Sequence, residues 1–141
     1  MYILVVGASP ESDNLIDILI DQGHRVALIE SNEDQARHIL KKHKNIDVFQ
    51  ASISQGDILE EARAETADAI VAATGDDSAN LMAMFLGREY GIETLVSIIN
   101  EPKHHSMFER LGVKVLANPA AIIAQQLYRL IEKSRSEAKK G

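Results

Sequence analysis

The chain has 141 residues, of which 45% are hydrophobic and 26% charged, a composition typical of one folded domain rather than of a disordered or fibrous protein. It has no cysteine, which excludes a disulfide framework and a thiolate metal site, and no apolar run approaches the ~20 residues of a membrane helix. The net charge of −6 and the 4% aromatic content argue against nucleic-acid binding. We therefore expect a cytoplasmic protein that does not insert into a membrane.

Short apolar runs alternate with helical patterns along the whole chain. Ile3 to Val6 is the first run, and Gly7 ends it. Apolar residues then recur on one helical face at positions 15, 16, 19 and 20, and Gly23 is predicted to end that helix. The run at 69–73 is apolar throughout, which predicts a strand buried on both faces of a parallel sheet. The predicted strands are, in chain order, 3–6, 25–30, 46–50, 69–73, 94–99 and 113–116.

The segments between these strands carry the start and stop signals of helices. Capping residues, acidic first turns and early prolines mark the starts, and glycines mark several ends. The predicted helices are, in chain order, one ending at Gly23, one from Ser31 or Asn32 to about Lys42, 58–63, one from Asp76 or Asp77 to about Tyr90, 101–111, and one starting at Asn118. We assign residues 1–134 to the domain and 135–141 to a polar tail, and predict that the polar end from Glu132 frays.

The order is one strand followed by one helix, repeated six times, at the ~20–25 residue spacing of a right-handed crossover unit. It predicts an α/β fold, a Rossmann-like doubly wound parallel sheet of six strands in the order 3-2-1-4-5-6. Ligands of such sheets bind beyond the carboxyl ends of the strands, between strands 1 and 4.

The turn after the first strand is a candidate phosphate site. Gly7 allows a tight turn, and free amides at the start of the following helix attract a phosphate. Glu30 ends the second strand, 23 residues after Gly7, where an acid accepts hydrogen bonds from ribose hydroxyls. Serine stands at positions 9 and 12, where a G-x-G-x-x-G turn has glycine, and Pro10 removes one donor. The loop alone leaves open a modified nucleotide site or a helix cap without a phosphate role.

Several short motifs occur in the order and spacing of a known family. They are 1–7 (MYILVVG), 23–26 (GHRV), 59–62 (LEEA), 67–77 (ADAIVAATGDD), 80–81 (NL), 108–113 (FERLGV) and 118–119 (NP). Through them residues 1–134 resemble RCK domains, also called KTN or TrkA-N domains, which regulate potassium conductance. The resemblance implies a lobe that binds NAD(H), ATP, ADP or AMP between strands 1 and 4. It also implies a dimer, or higher oligomer, that gates a membrane potassium channel or transporter, to which the lobe is peripheral.

The resemblance also implies roles for individual residues. Positions 7–9 would contact phosphates, Glu30 the ribose, and the loop at 74–75 would lie beside the nucleotide. Ser52 stands where the family often has an acid near the base, so three departures fall at one pocket and imply altered or lost nucleotide binding. The family's C-terminal ligand-sensing lobe has no counterpart here, which leaves open a piece of a longer chain or a short stand-alone subunit. The candidate nucleotide-binding residues are Gly7, Ala8, Ser9, Glu30, Ser31, Ser52, Thr74 and Gly75.

Other polar clusters are predicted to be ordinary surface features. Adjacent side chains on a helix point about 100° apart, so His104 and His105 are interpreted as surface residues. The acids Asp76 and Asp77 favour the positive end of a helix, and the basic run 41–44 favours a negative end. The sequence thus predicts neither a metal site nor catalytic residues.

The last helix carries an apolar stripe that predicts dimerisation, because the resembled family exchanges such a helix between protomers. The leading hypothesis is a nucleotide-sensing regulatory domain. A nucleotide-blind scaffold used only for assembly is the alternative. An NAD-dependent oxidoreductase ranks below both, because no residue pair is positioned for hydride chemistry. The stripe residues are Ala120, Ile123, Ala124, Leu127, Leu130 and Ile131.

Overall fold

The computed structural model describes residues 1–140 and contains one six-stranded sheet in which all neighbouring strands are parallel. The strand order is β3-β2-β1-β4-β5-β6, which confirms the predicted fold class and order. The strands are β1 (Tyr2–Val6), β2 (Arg25–Glu30), β3 (Asp47–Gln50), β4 (Ala69–Ala72), β5 (Thr94–Ile98) and β6 (Lys114–Leu116). The helices are α1 (Pro10–Asp21), α2 (Glu33–Lys42), α3 (Ile58–Glu61), α4 (Asp77–Glu89), α5 (His105–Arg110) and α6 (Pro119–Lys140).

Helices cover both faces of the sheet. Side chains alternate along a strand, so Ile3 and Val5 of β1 pack into a core with Ile16 of α1 and Ile39 of α2. Leu4 and its neighbours on the opposite face pack into a larger core under α3, α4 and α5. Every residue of β1 is buried, as expected for a central strand of a doubly wound sheet.

Helix α4 lies close to the sheet because it has a glycine at the contact. A Cβ on Gly87 would come within 2.8 Å of Ile70 Cγ2 and 3.3 Å of Leu95 Cδ2. This close packing holds the carboxyl-terminal half of α4 against β4 and β5.

Three predicted helices differ from the observed ones. The helix predicted at 58–63 ends at Glu61, because Arg63 has a left-handed φ of 57°, and a 3₁₀ turn (Ala64–Thr66) follows. The helix predicted at 101–111 begins as a 3₁₀ turn (Pro102–His104) before α5. The prediction that the chain frays from Glu132 was wrong for residues 132–140, which continue α6, because Glu, Lys, Arg and Ala are strong helix formers. Gly141 lies outside the described residues.

Helix α6 has no buried residue and packs little against the sheet. Its large apolar side chains are 57–61% exposed, and they are Ile123, Leu127, Tyr128, Leu130 and Ile131. Among residues 1–140, no helix combines the length and apolar character that crossing a bilayer requires.

Candidate functional site

The turns that follow β1, β2, β3 and β4 surround a cleft of about 610 Å³. It lies at the switch point between β1 and β4, where the sequence predicted a ligand site. Seven of the eight candidate residues line it, namely Ala8, Ser9, Glu30, Ser31, Ser52, Thr74 and Gly75. The eighth, Gly7, is buried in the β1 turn. The structure thus brings these residues together, and their contact with a nucleotide remains a prediction.

Gly7 occupies a position that no other residue fits. Its φ is +97°, and a Cβ there would lie 2.6 Å from Thr74 Cγ2 and 3.2 Å from the carbonyl oxygen of Ala73. Its amide donates to the carbonyl oxygen of Ile29 at 2.9 Å. The absence of a side chain therefore allows the turns after β1 and β4 to touch, and their contact forms the cleft floor.

The two serines that replace glycines in the first turn bond to each other. Ser9 is the N-cap of α1, and its Oγ accepts from the amide of Ser12 at 3.2 Å and lies 3.1 Å from Ser12 Oγ. Glu11 is exposed and does not line the cleft. Among residues 1–140, no protein group accepts a hydrogen bond from the amides of Ser9 and Glu11. Two donors thus remain for a ligand at the positive end of the helix dipole.

Glu30 contacts the first turn directly. Its Oε1 accepts from the amide of Ala8 at 3.3 Å. Among the described residues, no lysine or arginine forms an ion pair with it. The carboxylate therefore retains acceptor capacity for hydroxyl groups of a ligand.

Asn80, whose role the sequence left undefined, fixes the loop after β4. It is fully buried, and its Oδ1 accepts from the Thr74 amide at 3.0 Å and from Thr74 Oγ1 at 2.6 Å. Its Nδ2 donates to the carbonyl oxygens of Thr74 and Ile98. Asn100 donates to the same Thr74 carbonyl at 3.1 Å, and Asn118 donates to the carbonyl of Asn100 at 3.3 Å. These bonds connect the cleft to the start of α6.

Asp77 and His104 form a part-buried contact beside this loop, so the interpretation of His104 as a surface residue was incomplete: its side chain is 27% exposed and also contacts Asp77. The Asp77 carboxylate accepts from His104 Nδ1 at 2.7 Å, the Glu101 amide at 3.0 Å, and both the amide and Nδ2 of Asn100. Burial raises the pKa of Asp77, but the hydrogen bonds from His104, Asn100 and Glu101 outweigh it and lower the pKa to about 2. Asp77 thus anchors the chain after β5 rather than only interacting with a helix dipole.

A second polar cluster joins α1 to α2 outside the cleft. His43 is buried, with Nε2 2.8 Å from Asp13 Oδ1 and Nδ1 3.4 Å from Asp17 Oδ1. Lys42 Nζ lies 3.0 Å from Asp13 Oδ2, and the hydrogen bond from His43 lowers the pKa of Asp13 despite its partial burial. The interpretation of the basic run 41–44 as a dipole effect alone was therefore incomplete. The donor atoms of Asp13, Asp17 and His43 lie within 4.8 Å of one another, but Lys42 already supplies a cation there.

Six further residues, which were not among the eight candidates, also line the cleft. They are Pro10, Asn32, Gln35, Ala73, Asp76 and Ala79. Most of them begin the helices that follow β1, β2 and β4, and Asn32 and Asp76 are helix N-caps. Their position at a strand-to-helix turn was the available signal.

Comparison with known proteins gives consistent matches. The family model described as TrkA-N domain matches residues 3–119. A Trk system potassium uptake protein TrkA homolog from Methanothermobacter thermautotrophicus is 33% identical over 137 residues, covering 96% of this chain and 62% of that protein. A second homolog, from Pyrococcus abyssi, is 28% identical over 93% of this chain and 60% of its own length. The chain thus spans about 60% of the length of these curated relatives.

Solved structures match over most of the chain. The GsuK channel bound to NAD superposes with a TM-score of 0.70 at 26% identity, over 82% of this chain and 21% of that one. The TrkA-N domain of inner membrane protein ybaL from Escherichia coli gives a TM-score of 0.79 at 13% identity, over 92% and 95% of the two chains, which shows the shared fold.

Proposed function

Because the chain belongs to the TrkA-N domain family, we propose that it is a regulatory domain of a potassium channel or transporter that responds to an adenine nucleotide bound in the cleft. The observation that carries the proposal is the open cleft at the switch point, beside which the turns after β1 and β4 pack closely at Gly7 and Thr74. The relatives named for potassium uptake and the GsuK channel structure with NAD support this choice.

The residues of the cleft fit such a ligand. Its volume of about 610 Å³ lies within the range of small-molecule and cofactor sites. The free amides of Ser9 and Glu11 are available for a phosphate, and Glu30 for ribose hydroxyls. Thr74 and Gly75, on the β4 side, would lie beside the rest of the nucleotide. No lysine, tyrosine or histidine lines this cleft, so the proposed role is regulatory rather than catalytic.

We propose that α6 transmits the response to a second copy of the chain. Five large apolar side chains on α6 are more than half exposed, and pairing with a second α6 would remove them from water. Ser9 and Thr74 lie on opposite sides of the cleft and would approach each other when the site is filled. The hydrogen bonds from Thr74 through Asn100 to Asn118 would carry that movement to the base of α6. Such coupling requires that the ligand bind one state more tightly than the other.

Thermal unfolding with ligands tests the proposal. We would heat the chain alone and with NAD⁺, NADH, ATP, ADP or AMP, and we expect at least one to stabilise it by ~2.7 kcal/mol at 100 times its Kd. Glu30→Ala should weaken that ligand at least tenfold, because it removes the ribose acceptor. Glu89→Gln, which changes an exposed acid at the far end of α4, is the control.

A nucleotide-blind scaffold is the second candidate. The observation that favours it is the bond between Ser9 and Ser12, which stand where a nucleotide-binding turn has glycines. If none of the five nucleotides stabilises the chain while α6 still dimerises, the scaffold replaces the sensor.

A further inference from the structure

The cleft contains acids but no basic side chain. Of its thirteen lining residues, only Glu30 and Asp76 have ionisable side chains, and both are acids. An adjoining groove of about 390 Å³ shares Ala8, Ser9, Pro10 and Gln35 with the cleft. It adds Asp13 and Asp34, with His38 as its one titratable base. Asp13 and Asp34 are ion-paired with Lys42 and Arg37, but a phosphate in the cleft would meet Glu30 and Asp76 with no lysine or arginine among the lining residues.

The positive charge available to an anion in the cleft therefore comes from helix N-termini and backbone amides, because no basic side chain lines it. The amides of Ser9 and Glu11 are free, and the α1 dipole adds roughly half a positive charge at that end. The Ala8 amide is already bonded to Glu30. This partial positive charge is smaller than the charge of one singly ionised phosphate.

Both acids are held in place. Asp76 is the N-cap of α4, and its Oδ1 accepts from the Ser78 amide at 2.8 Å. Glu30 is bonded to the first turn. Neither carboxylate can turn away from an incoming anion without losing a hydrogen bond, so their repulsion acts on every ligand.

Resting on the proposed function, we infer that the cleft selects among adenine nucleotides by total phosphate charge, that Asp76 and Glu30 set this selectivity, and that NAD⁺ is preferred over ATP. Both phosphates of NAD⁺ are linked on two sides, carry about one negative charge each, and are partly balanced by the positive nicotinamide ring. ATP ends in a phosphate with nearly two charges and has a net charge of about −4. Each added charge faces Asp76 or Glu30 with no protein cation to offset it.

Isothermal titration of the full chain tests this inference with NAD⁺, ADP-ribose, AMP, ADP and ATP, without Mg²⁺. ADP-ribose has the pyrophosphate of NAD⁺ but lacks the nicotinamide, so it separates charge from recognition of that ring. At about 25 mM salt we expect NAD⁺ and ADP-ribose to bind at least tenfold more tightly than ATP. At about 300 mM salt the ratio should shrink, because ions screen the repulsion.

Conservative variants test whether Asp76 and Glu30 cause the preference for NAD⁺ over ATP. Asp76→Asn keeps a good N-cap and removes the charge, and we expect it to lower the NAD⁺-to-ATP affinity ratio at least threefold. Glu30→Gln should do the same while retaining an acceptor for the Ala8 amide. Glu89→Gln removes an equal charge at the far, exposed end of α4 and should leave the ratio unchanged.

The outcomes separate the two proposals. ATP binding as tightly as NAD⁺, or a ratio unchanged by Asp76→Asn, overturns charge selection and leaves the nucleotide sensor standing. If all five ligands fail to bind, the proposed function fails, and charge selection fails with it.

Discussion

At the scale of single residues, Gly7 is the position on which the cleft depends most. Gly7→Ala would force a left-handed φ on alanine and place its Cβ 2.6 Å from Thr74. Gly23→Ala is a matched control, because Gly23 also has a positive φ, +81°, but no atom lies within 4 Å of its Cβ position. We expect Gly7→Ala to lower the free energy of unfolding by about 1–2 kcal/mol more than Gly23→Ala. Urea denaturation measures both, and equal losses would contradict the contact argument.

Asp77 gives the fold a defined acid sensitivity. Its folded pKa of about 2 lies below the model-peptide value of 3.8, so the carboxylate stabilises the fold above pH ~4. This contribution, about 2 kcal/mol, is lost as the pH falls from ~4 through ~2.

Asp77→Asn tests that sensitivity, because an amide cannot accept all the hydrogen bonds from His104, Asn100 and Glu101. We expect the variant to be less stable by about 2 kcal/mol at pH 7. Its deficit relative to the parent chain should shrink toward zero near pH 2. Unfolding in urea across this pH range measures the difference, and a constant deficit would contradict the assigned pKa.

At the scale of elements, α1 and α2 are joined by the contact of His43 with Asp13 and Asp17. His43→Ala removes a buried ring and its bonds, and we expect a loss of about 2 kcal/mol in unfolding free energy. Lys42→Ala should cost less than about 1 kcal/mol, since its ion pair is half exposed. Lys41→Ala, at an exposed neighbour, is the control. Equal losses in all three variants would show that the cluster does not stabilise the helix pair.

At the scale of elements too, α6 is the helix through which we expect two copies of the chain to dimerise. Leu127→Glu changes a side chain that is 57% exposed in the single chain, so it should leave the fold intact while placing charge in the apolar stripe. We expect the dimer dissociation constant to rise at least tenfold. Light scattering across a concentration series measures this. Gln125→Glu, at an exposed position on the opposite face of the same helix, serves as control, and a parent chain that stays monomeric would contradict the proposed dimer.

At the scale of the whole molecule, the fold followed from local patterns. The continuous apolar run at 69–73 and the turn glycines at 7, 23, 91 and 112 predicted the strands and crossovers correctly. Seven of the eight candidate residues lie together at the cleft because the switch point of a doubly wound sheet gathers the ends of β1, β2, β3 and β4, and their role in binding stays a prediction. The error at the chain end arose because polarity was weighted above the helix propensity of residues 132–140.

Some side-chain contacts were not predicted from the sequence, for a different reason. His104 meets Asp77, and Lys42 and His43 meet the acids of α1, only once neighbouring elements pack side by side. These partners are 27 to 30 residues apart in sequence, and no periodicity links them. Asp76 was recognised as a cap but not as part of the cleft, because sequence alone does not show which side of a helix start faces a ligand.

Helix α6 is long enough that a small tilt at its first turn would displace its far end by several times more. Its 22 residues extend about 33 Å from the end that Asn118 caps, and Asn118 is bonded through Asn100 to the Thr74 carbonyl. A tilt of about 5° at that pivot displaces the free tip by about 3 Å. Under the proposed coupling, a small shift beside Thr74 would therefore become a displacement of about 3 Å at the far end of α6.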